Sequence, residues 1–185
     1  LPGSRVVVAH RGQIVLDKSF GTLDGTRPVV PESVYDLASI TKVAVTGNAL
    51  MHLNSRGELD LDGPMAELLP ELKHHPLGSR TPRELLTHQA GLESWIPFYV
   101  SALADSSGVF SNEPTDGCVI EVTPSMYLED AYTDSVWAMI LNAELDPAGK
   151  YRYSYLGFYM WLRLFKQRGM DVADWVDREL ATPLG

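Results

Sequence analysis

Strand-forming residues are concentrated at the start of this 185-residue chain, and helical patterns dominate the rest. Arg5–His10 and Gln13–Leu16 are rich in β-branched and aliphatic residues, and Arg11-Gly12 between them suits a tight hairpin turn. No internal repeat or linker is visible in the remainder of the chain. A hairpin followed by a long helical block predicts an α+β fold in which strands and helices are segregated.

Apolar residues at helical spacing, bounded by caps and glycines, predict the helices of that block. The first helix should run from about Ser39 to about Ser55 and end at Gly57. Thr81-Pro82-Arg83-Glu84 is a capping box that should start a short helix ending near Gly91. We expect further helices at positions 64–69, 130–142, 156–165 and 172–180, and a long irregular loop from Asp105 to Pro124.

Composition argues against several kinds of partner. Hydrophobic residues make up 45% and charged residues 21% of the chain, which is ordinary for a globular domain. The net charge of −9 and the lack of a basic stripe argue against nucleic acid or an anionic membrane as main partner. The single cysteine, Cys118, rules out an internal disulfide, and we expect it to be a small buried or loop residue. His74 and His75 lack companion ligands at metal spacing, so no zinc site is expected.

The sequence shows no targeting or membrane-spanning segment. Leu1–Ser4 leads directly into the first strand, without the basic and then apolar run of a signal peptide. The most apolar stretch, Leu156–Phe165, is broken by Arg163 and is far too short to cross a bilayer. We therefore expect a soluble protein, and the residues alone do not assign its compartment.

The first candidate for chemistry is the run Tyr35-Asp36-Leu37-Ala38-Ser39-Ile40-Thr41-Lys42-Val43. Helix residues three apart share a face, so the Ser39 hydroxyl and the Lys42 amine are predicted to lie side by side. A lysine desolvated among apolar neighbours can lose its proton, and the neutral amine can then take the serine proton. The helix N-terminus would favour negative charge near Ser39. Taken alone, the pattern also fits a helix cap at Ser39 and a solvent-facing lysine.

Three segments, in this order, resemble the serine β-lactamase and penicillin-binding superfamily, specifically its class C β-lactamase-like branch, which includes D,D-peptidases and esterases. The run around Ser39 and Lys42 is similar to the nucleophile motif of the branch. Leu85–Leu92 is similar to its Leu-Leu-Thr-His-x-x-Gly-Leu segment, and Tyr153-Ser154-Tyr155 stands in place of its Tyr-x-Asn motif. The resemblance runs from the hairpin to the end of the chain. It implies one domain, 1–185, with a β-lactamase/transpeptidase-like α+β fold.

The resemblance implies a serine hydrolase that works through an acyl-enzyme and needs no metal or other cofactor. Ser39 would attack a carbonyl group, Lys42 would act as general base, and Tyr153 would relay a proton to the leaving group. The backbone N–H of Ser39 would supply half of the oxyanion hole. His88 would belong to a structural turn and have no part in the chemistry. Judged without the resemblance, the preferred interpretation of Tyr153 is an aromatic core cluster with Tyr151, Tyr155 and Tyr159.

Two departures from the branch limit what the resemblance implies. Tyr155 stands where the branch has an Asn whose amide binds substrate and helps orient Lys42, so Tyr155 is a candidate substrate-binding residue of different reach. The third motif of the branch, a Lys/His-x-Gly on a late edge strand, is absent before Pro183-Leu184-Gly185. The resemblance therefore implies the N-terminal part of a longer domain, without its C-terminal sheet strands. Such a part would be weakly active or inactive alone and could self-associate through an exposed edge.

A second hypothesis is a non-catalytic binding or accessory module of a cell-wall glycosidase, or an inactive fragment. The run Leu92–Tyr99 is further similar to a Bacteroidetes-type subgroup in which such a domain can be fused behind a family 3 glycosidase. For the hydrolase, the resemblance implies a small-molecule or peptidoglycan-derived acyl substrate. It also implies a periplasmic or other extracytoplasmic location.

Overall fold

The computed structural model describes residues 3–104 and 108–184. The chain divides into two compact units, Leu1–Ser39 and Ile40–Gly185. The first contains a β-hairpin, and the second contains the helices and a small sheet. This combination confirms the predicted α+β class.

The first unit begins with the predicted hairpin. Strand β1 (Ser4–His10) pairs antiparallel with strand β2 (Gln13–Phe20). Arg11 has φ 48° and Gly12 has φ 78°, so both turn residues are left-handed. A two-residue turn of this type matches the natural twist of the two strands. The hairpin predicted from the Arg11-Gly12 spacing is therefore confirmed.

Apolar side chains of the hairpin are exposed to solvent. Val7 is 51%, Ile14 66% and Val15 62% exposed. Arg5 and Asp17 form an ion pair across the strands, with 2.7 Å between Nη2 and Oδ2. In the part of the chain that the structure describes, this sheet consists of two strands.

The second unit begins with a helical stretch whose first part is wider than an α-helix. Lys42–Gly47 is π-helical, and helix α1 (Asn48–Ser55) continues from it. The side-chain amide of Asn48 donates to the carbonyl oxygens of Val43 (3.2 Å) and Ala44 (2.9 Å), so it provides hydrogen-bond partners for two carbonyl groups of the π-helical segment. The predicted helix is confirmed in extent. Its π-helical start was not predicted.

The other helices of this unit are short, apart from two that pack centrally. They are α2 (Met65–Leu68), α3 (Pro82–Leu86), α4 (Phe98–Ala104), α5 (Tyr132–Leu141), α6 (Leu156–Gln167), α7 (Val172–Val176) and α8 (Thr182–Leu184), with 3₁₀ turns at Pro70–Leu72 and Pro76–Ser79 and a π-helical segment at Asp177–Ala181. The helices predicted at 64–69, 130–142, 156–165 and 172–180 are confirmed in position. None of the helices in the described residues is long and apolar enough to span a membrane.

The capping box that the sequence predicts at Thr81 is present. The Thr81 hydroxyl accepts a hydrogen bond from the Glu84 backbone N–H at 3.1 Å, and the Thr81 N–H donates to the Glu84 carboxylate at 2.8 Å. These two bonds satisfy donors that a helix start would otherwise leave unpaired. Helix α3 therefore begins at Pro82, as predicted.

The prediction of an irregular loop from Asp105 to Pro124 is wrong where two strands, β3 (Phe110–Ser111) and β4 (Cys118–Thr123), form within it. These strands and β5 (Met126–Glu129) form an antiparallel sheet in the order β3-β5-β4. The β-branched residues of β4, Val119, Ile120, Val122 and Thr123, and the pairing partner supplied by β5 outweigh the turn residues around them. Positions 105–107 of the predicted loop lie outside the described residues. Cys118 is buried at the start of β4, as expected.

A single cluster of buried apolar side chains forms the main core of the second unit. Helix α6 contributes most to it, with Met160 and Trp161 fully buried, and α1 adds Leu50. Burying one such side chain contributes roughly 1.5–3 kcal/mol. Gly157 lets α6 approach α3 closely, since a Cβ there would lie 3.3 Å from a methyl group of Leu85. The anchoring of α6 fixes the position of the chain segment immediately before it.

Candidate active site

Ser39 lies on an exposed turn directly before the helical stretch and is the last residue of the first unit. The preceding residue, Ala38, has φ 45°, a left-handed conformation that is uncommon for a residue with a side chain. Its N–H donates to the carboxylate of Asp36 at 2.8 Å, which holds this turn. Strained backbone of this kind clusters at active sites and ligand-binding segments, although in this chain Arg11 of the hairpin turn is left-handed as well.

Lys42 is half-buried against aromatic rings at the start of the π-helical segment. Its Nζ lies 4.2 Å from the ring centroid of Tyr155, 5.3 Å from that of Phe158 and 5.8 Å from that of Tyr153. A cation within about 6 Å of a ring face gains roughly 0.5–2 kcal/mol, more as water is excluded. The second unit thus brings together three of the four predicted site residues: Lys42, Tyr153 and Tyr155.

The tyrosines of the predicted Tyr-x-Asn-like segment lie just before α6. The rings of Tyr153 and Tyr155 meet edge to face, with centroids 5.4 Å apart and planes at 83°. Tyr153 is half-buried, and Tyr155 is 44% exposed. The two rings contact each other and lie near the Lys42 amine. Tyr151 and Tyr159 are 64% and 40% exposed, so the four tyrosines do not form a buried core cluster.

His88 lies on the turn after α3, and its ring packs against that of Tyr153. Its backbone is left-handed, with φ 58°, and its ring centroid is 4.4 Å from that of Tyr153. The ring nitrogen Nδ1 accepts a hydrogen bond from the Ser154 N–H at 3.1 Å. Burial, and then the nearby positive charge of Lys42, lower the pKa of His88 below 6.5. A neutral imidazole keeps the acceptor nitrogen that this hydrogen bond requires.

One side-chain and one backbone hydrogen bond join the segment after His88 to the segment that carries the tyrosines. The Ser154 hydroxyl donates to the Glu93 carbonyl at 2.5 Å, and the Tyr155 N–H donates to the Ser94 carbonyl at 2.9 Å. Since each bond involves a residue at or next to a predicted site tyrosine, these contacts determine where the two rings can lie.

A glycine is required at position 91, where the segment after His88 meets the backbone of Asp146. It has φ 80°, and a Cβ at this position would lie 2.0 Å from the carbonyl oxygen of Asp146. The Asp146 N–H in turn donates to the Gly91 carbonyl at 2.9 Å. Two positions of the Leu-Leu-Thr-His-x-x-Gly-Leu segment thus have a structural explanation. His88 has a left-handed backbone, and Gly91 leaves room for the carbonyl group of Asp146.

Two residues of the site were not singled out from the sequence. Phe158 contacts Lys42, and Arg152 donates to the carbonyls of Leu92 (2.8 Å) and Gly91 (3.1 Å) while pairing with Asp146 at 3.0 Å. The only sequence signal for Arg152 is its place inside the tyrosine run. Leu92 and Gly91 lie 60 and 61 residues before Arg152 in the chain, so local patterns do not reveal these two contacts.

The described residues contain no group of three or more His, Cys, Asp or Glu side chains arranged to hold a metal ion.

In this α+β fold, Ser39 lies on an exposed, strained turn three positions before Lys42, and Lys42 packs among tyrosine rings. The sequence matches the family described as Beta-lactamase over residues 1–185. The chain therefore belongs to the β-lactamase family, and the predicted superfamily is confirmed.

Relatives and solved structures agree with this assignment. Esterase EstB of Burkholderia gladioli is 28% identical over 193 residues, which cover all of this chain and 46% of the esterase. The class C β-lactamase structure from Rhodobacter sphaeroides has a TM-score of 0.61 and 25% identity, covering 97% of this chain and 43% of that one. D-amino acid amidase of Ochrobactrum anthropi has the same fold, with a TM-score of 0.68 and 19% identity, covering 99% of this chain and 48% of that one.

The chain spans about half the length of each of these relatives. The comparisons confirm the β-lactamase/transpeptidase-like fold. The roles of Ser39, Lys42, Tyr153 and Tyr155 stay predictions.

Proposed function

We propose that this chain carries the nucleophile of a serine hydrolase that cleaves ester or amide bonds through an acyl-enzyme on Ser39. The observation that supports it most is the position of the Lys42 amine, 4.2 Å from the Tyr155 ring centroid and 5.8 Å from that of Tyr153. The helical segment bearing Lys42 begins directly after Ser39 in the sequence. Family membership and an esterase relative support the reaction class.

In the proposed reaction, Ser39 Oγ forms a bond to the substrate carbonyl carbon as its proton passes to the Lys42 amine. The ring faces of Tyr155 and Phe158 stabilise the ammonium that forms. The proton then passes through the Tyr153 hydroxyl to the leaving alcohol or amine as the bond to that group breaks. Water attacks the ester on Ser39 by the reverse proton path, releasing the acid and restoring the serine. The Ser39 N–H donates to the carbonyl oxygen during both steps.

We propose that both units belong to one hydrolase domain, that its substrate is a small-molecule or peptidoglycan-derived ester or amide, and that it acts outside the cytoplasm. Family membership supports each of these statements.

Ester hydrolysis by the full gene product tests the proposed function. We expect Ser39→Ala and Lys42→Ala each to lower kcat/KM for methyl acetate by at least about 1,000-fold. Ser101→Ala is the matched control, because this serine is exposed on helix α4, and it should leave the rate unchanged. Full activity in Ser39→Ala would overturn the proposal.

A second candidate function is a binding module attached to a cell-wall glycosidase. The observation that favours it is Tyr155 in place of the amide residue of the branch, together with two other large exposed aromatic side chains nearby, Trp95 and Tyr159. This function requires glycan binding that survives Ser39→Ala and Lys42→Ala. Isothermal titration with muropeptides therefore distinguishes it: binding without hydrolysis supports the module, and hydrolysis that depends on Ser39 rejects it.

A further inference from the structure

An apolar cavity adjoins the cluster around Lys42. It has a volume of about 320 Å³ and is lined by Trp95, Ile96, Phe98, Tyr155, Leu156 and Tyr159. None of these six side chains is charged. Cavities of roughly 300–1,000 Å³ are the usual size of small-molecule sites.

Tyr155 connects the cavity to the proposed chemistry. Its ring contacts the Lys42 amine, at 4.2 Å from centroid to Nζ, and the same residue lines the cavity. Two contacts fix part of the lining. Leu156 is fully buried, and the Phe98 and Tyr159 rings pack edge to face, with centroids 5.2 Å apart and planes at 74°. The cavity is therefore a built pocket beside the proposed general base.

The lining determines what kind of group the pocket would accept. Aromatic and aliphatic walls favour an apolar group and give a buried charge or amide no ionic partner among the six lining side chains. Ring edges and faces at several orientations suit a planar aromatic ring. A cavity of about 150 Å³ with apolar walls already accommodates benzene, so about 320 Å³ is ample for a phenyl group and a short linker.

A larger cavity of about 430 Å³ lies between α5 and α6, but it is not lined by Lys42, Tyr153 or Tyr155. Its charged rim is already paired within the protein, since Arg163 binds Glu71 at 2.9 Å and Lys166 binds Asp130 at 3.2 Å. The smaller cavity is the one connected to the proposed site.

We propose that the pocket formed by Trp95, Ile96, Phe98, Tyr155, Leu156 and Tyr159 receives an aryl group of the substrate, which makes the preferred substrate an aryl-bearing ester. This inference rests on the proposed serine hydrolase function. The aryl group belongs either to the acyl part or to the alcohol part of the ester, and the same pocket chemistry serves both.

Two isomeric esters distinguish an aryl group on the acyl part from one on the alcohol part. Methyl phenylacetate carries its ring on the acyl side, and benzyl acetate carries it on the alcohol side; methyl acetate is the reference without a ring. With the full gene product, we expect kcat/KM for one of the two isomers to exceed that for methyl acetate by at least about 10-fold. Trp95→Ala should reduce this advantage to less than about 3-fold while leaving methyl acetate hydrolysis unchanged.

Control variants separate loss of the pocket from loss of the fold. Trp95 is 55% exposed, so its replacement removes a pocket wall and leaves the buried core intact. Ile96→Trp fills the same pocket and should have the same effect by blocking it. Tyr99→Ala removes an exposed aromatic residue of α4 that does not line the pocket, and should preserve the advantage. An advantage that persists in Trp95→Ala and Ile96→Trp, or no advantage for either isomer, would overturn the proposal.

A binding measurement separates failure of this inference from failure of the proposed function. Phenylacetate and benzyl alcohol are titrated into Ser39→Ala, with isothermal titration calorimetry as the readout. Binding of either one that weakens at least about 10-fold when Trp95→Ala is added supports an aryl pocket, even where no ester is hydrolysed. Absence of binding for both compounds overturns the pocket, even where Ser39-dependent hydrolysis of methyl acetate is found.

Discussion

At the scale of single residues, Lys42 is positioned by ring faces. Tyr155 occupies the position where the branch resembled by this chain has an amide, and its ring is the one whose centroid lies nearest Lys42 Nζ among the three that contact it. A ring face attracts an ammonium group but has no fixed hydrogen-bond direction. The amine is thus held near the tyrosines, and its role should depend on the ring more than on the phenol hydroxyl of Tyr155.

Replacement of Tyr155 tests this dependence. Tyr155→Phe keeps the ring, so we expect kcat/KM for methyl acetate to stay within about 3-fold of the original protein. Tyr155→Ala removes the ring and should lower kcat/KM by about 2- to 30-fold, which corresponds to the usual range for cation–π contacts. Using the small ester keeps the apolar pocket out of the comparison. Equal losses in both variants would instead assign the effect to the hydroxyl group.

His88 should make stability depend on pH. Its pKa in the folded protein is lowered below 6.5, chiefly by burial, so the unfolded chain binds a proton more readily than the folded one. The free energy of unfolding contributed by neutral His88 is therefore present above about pH 6.5 and is lost as pH falls through the lowered pKa. Urea denaturation at a series of pH values from 7.5 downwards measures this loss.

His88→Asn is the matching variant, because asparagine tolerates the left-handed backbone and its side-chain oxygen can accept a hydrogen bond. The decrease in stability below pH 6.5 should be smaller in this variant than in the original protein. A hydrogen bond from Arg83 lowers the pKa of Asp62. At Glu71 burial raises the pKa, but hydrogen bonds, that of Arg163 foremost, outweigh it and lower the pKa of this carboxyl, so neither group accounts for a change near pH 6.5. An identical pH dependence in both proteins would show that His88 is not responsible.

At the scale of elements, the site depends on hydrogen bonds between two segments, one after α3 and one before α6. The run after α3 supplies the carbonyls of Glu93 and Ser94, and the run before α6 supplies the donors Ser154 and Tyr155. Gly91 allows the close approach, since its missing Cβ leaves room for the Asp146 carbonyl.

Gly91→Ala should therefore be strongly destabilising. A left-handed alanine costs about 1–2 kcal/mol, and the clash with the Asp146 carbonyl adds to this cost. Gly149→Ala is a matched control, because Gly149 also has positive φ (97°) but has no atom within 4 Å of the added Cβ. In urea denaturation we expect Gly91→Ala to lose at least about 2 kcal/mol more than Gly149→Ala. Equal losses would contradict the close packing of these two segments.

Local signals account for the elements that the sequence predicts correctly. The left-handed Arg11-Gly12 turn, the Thr81 capping box and the apolar face of α6 are each specified by residues close together in the chain. The small sheet at 110–129 was missed because β3 has two residues and β4 lies among turn residues. Its strands form through pairing, which a single run of sequence does not show.

The site was only partly predictable for the same reason. Ser39, Lys42 and Tyr153 could be named because they lie in recognisable motifs, and the structure brings Lys42 and Tyr153 together. The contact between Lys42 and the Tyr155 ring joins distant parts of the chain and has no local signal. The π-helical start at Lys42–Gly47 was missed because apolar spacing predicts a helix without distinguishing its hydrogen-bond pattern.

At the scale of the whole molecule, exposed apolar residues on the hairpin should cause self-association. Ile14 is 66% and Val15 62% exposed on β2, and the described residues of this sheet form two strands. Exposed apolar strands tend to pair with other chains.

Sedimentation velocity of the 185-residue chain at several concentrations should therefore show association that increases with concentration. Ile14→Thr combined with Val15→Thr keeps strand propensity and should shift the chain towards the monomer. Met51→Thr is a control at an equally exposed apolar position, 67%, on α1. A monomer at all concentrations, or equal association in the double variant, would contradict the prediction.

The central claim is that Ser39 is a nucleophile activated by Lys42. Reaction of the full gene product with a fluorophosphonate, followed by peptide mass spectrometry, tests it most directly. We predict a single covalent adduct on Ser39, absent in Ser39→Ala and formed at least about 100-fold more slowly in Lys42→Ala. No adduct on Ser39 in the folded protein, or unchanged labelling in Ser39→Ala, would contradict the claim.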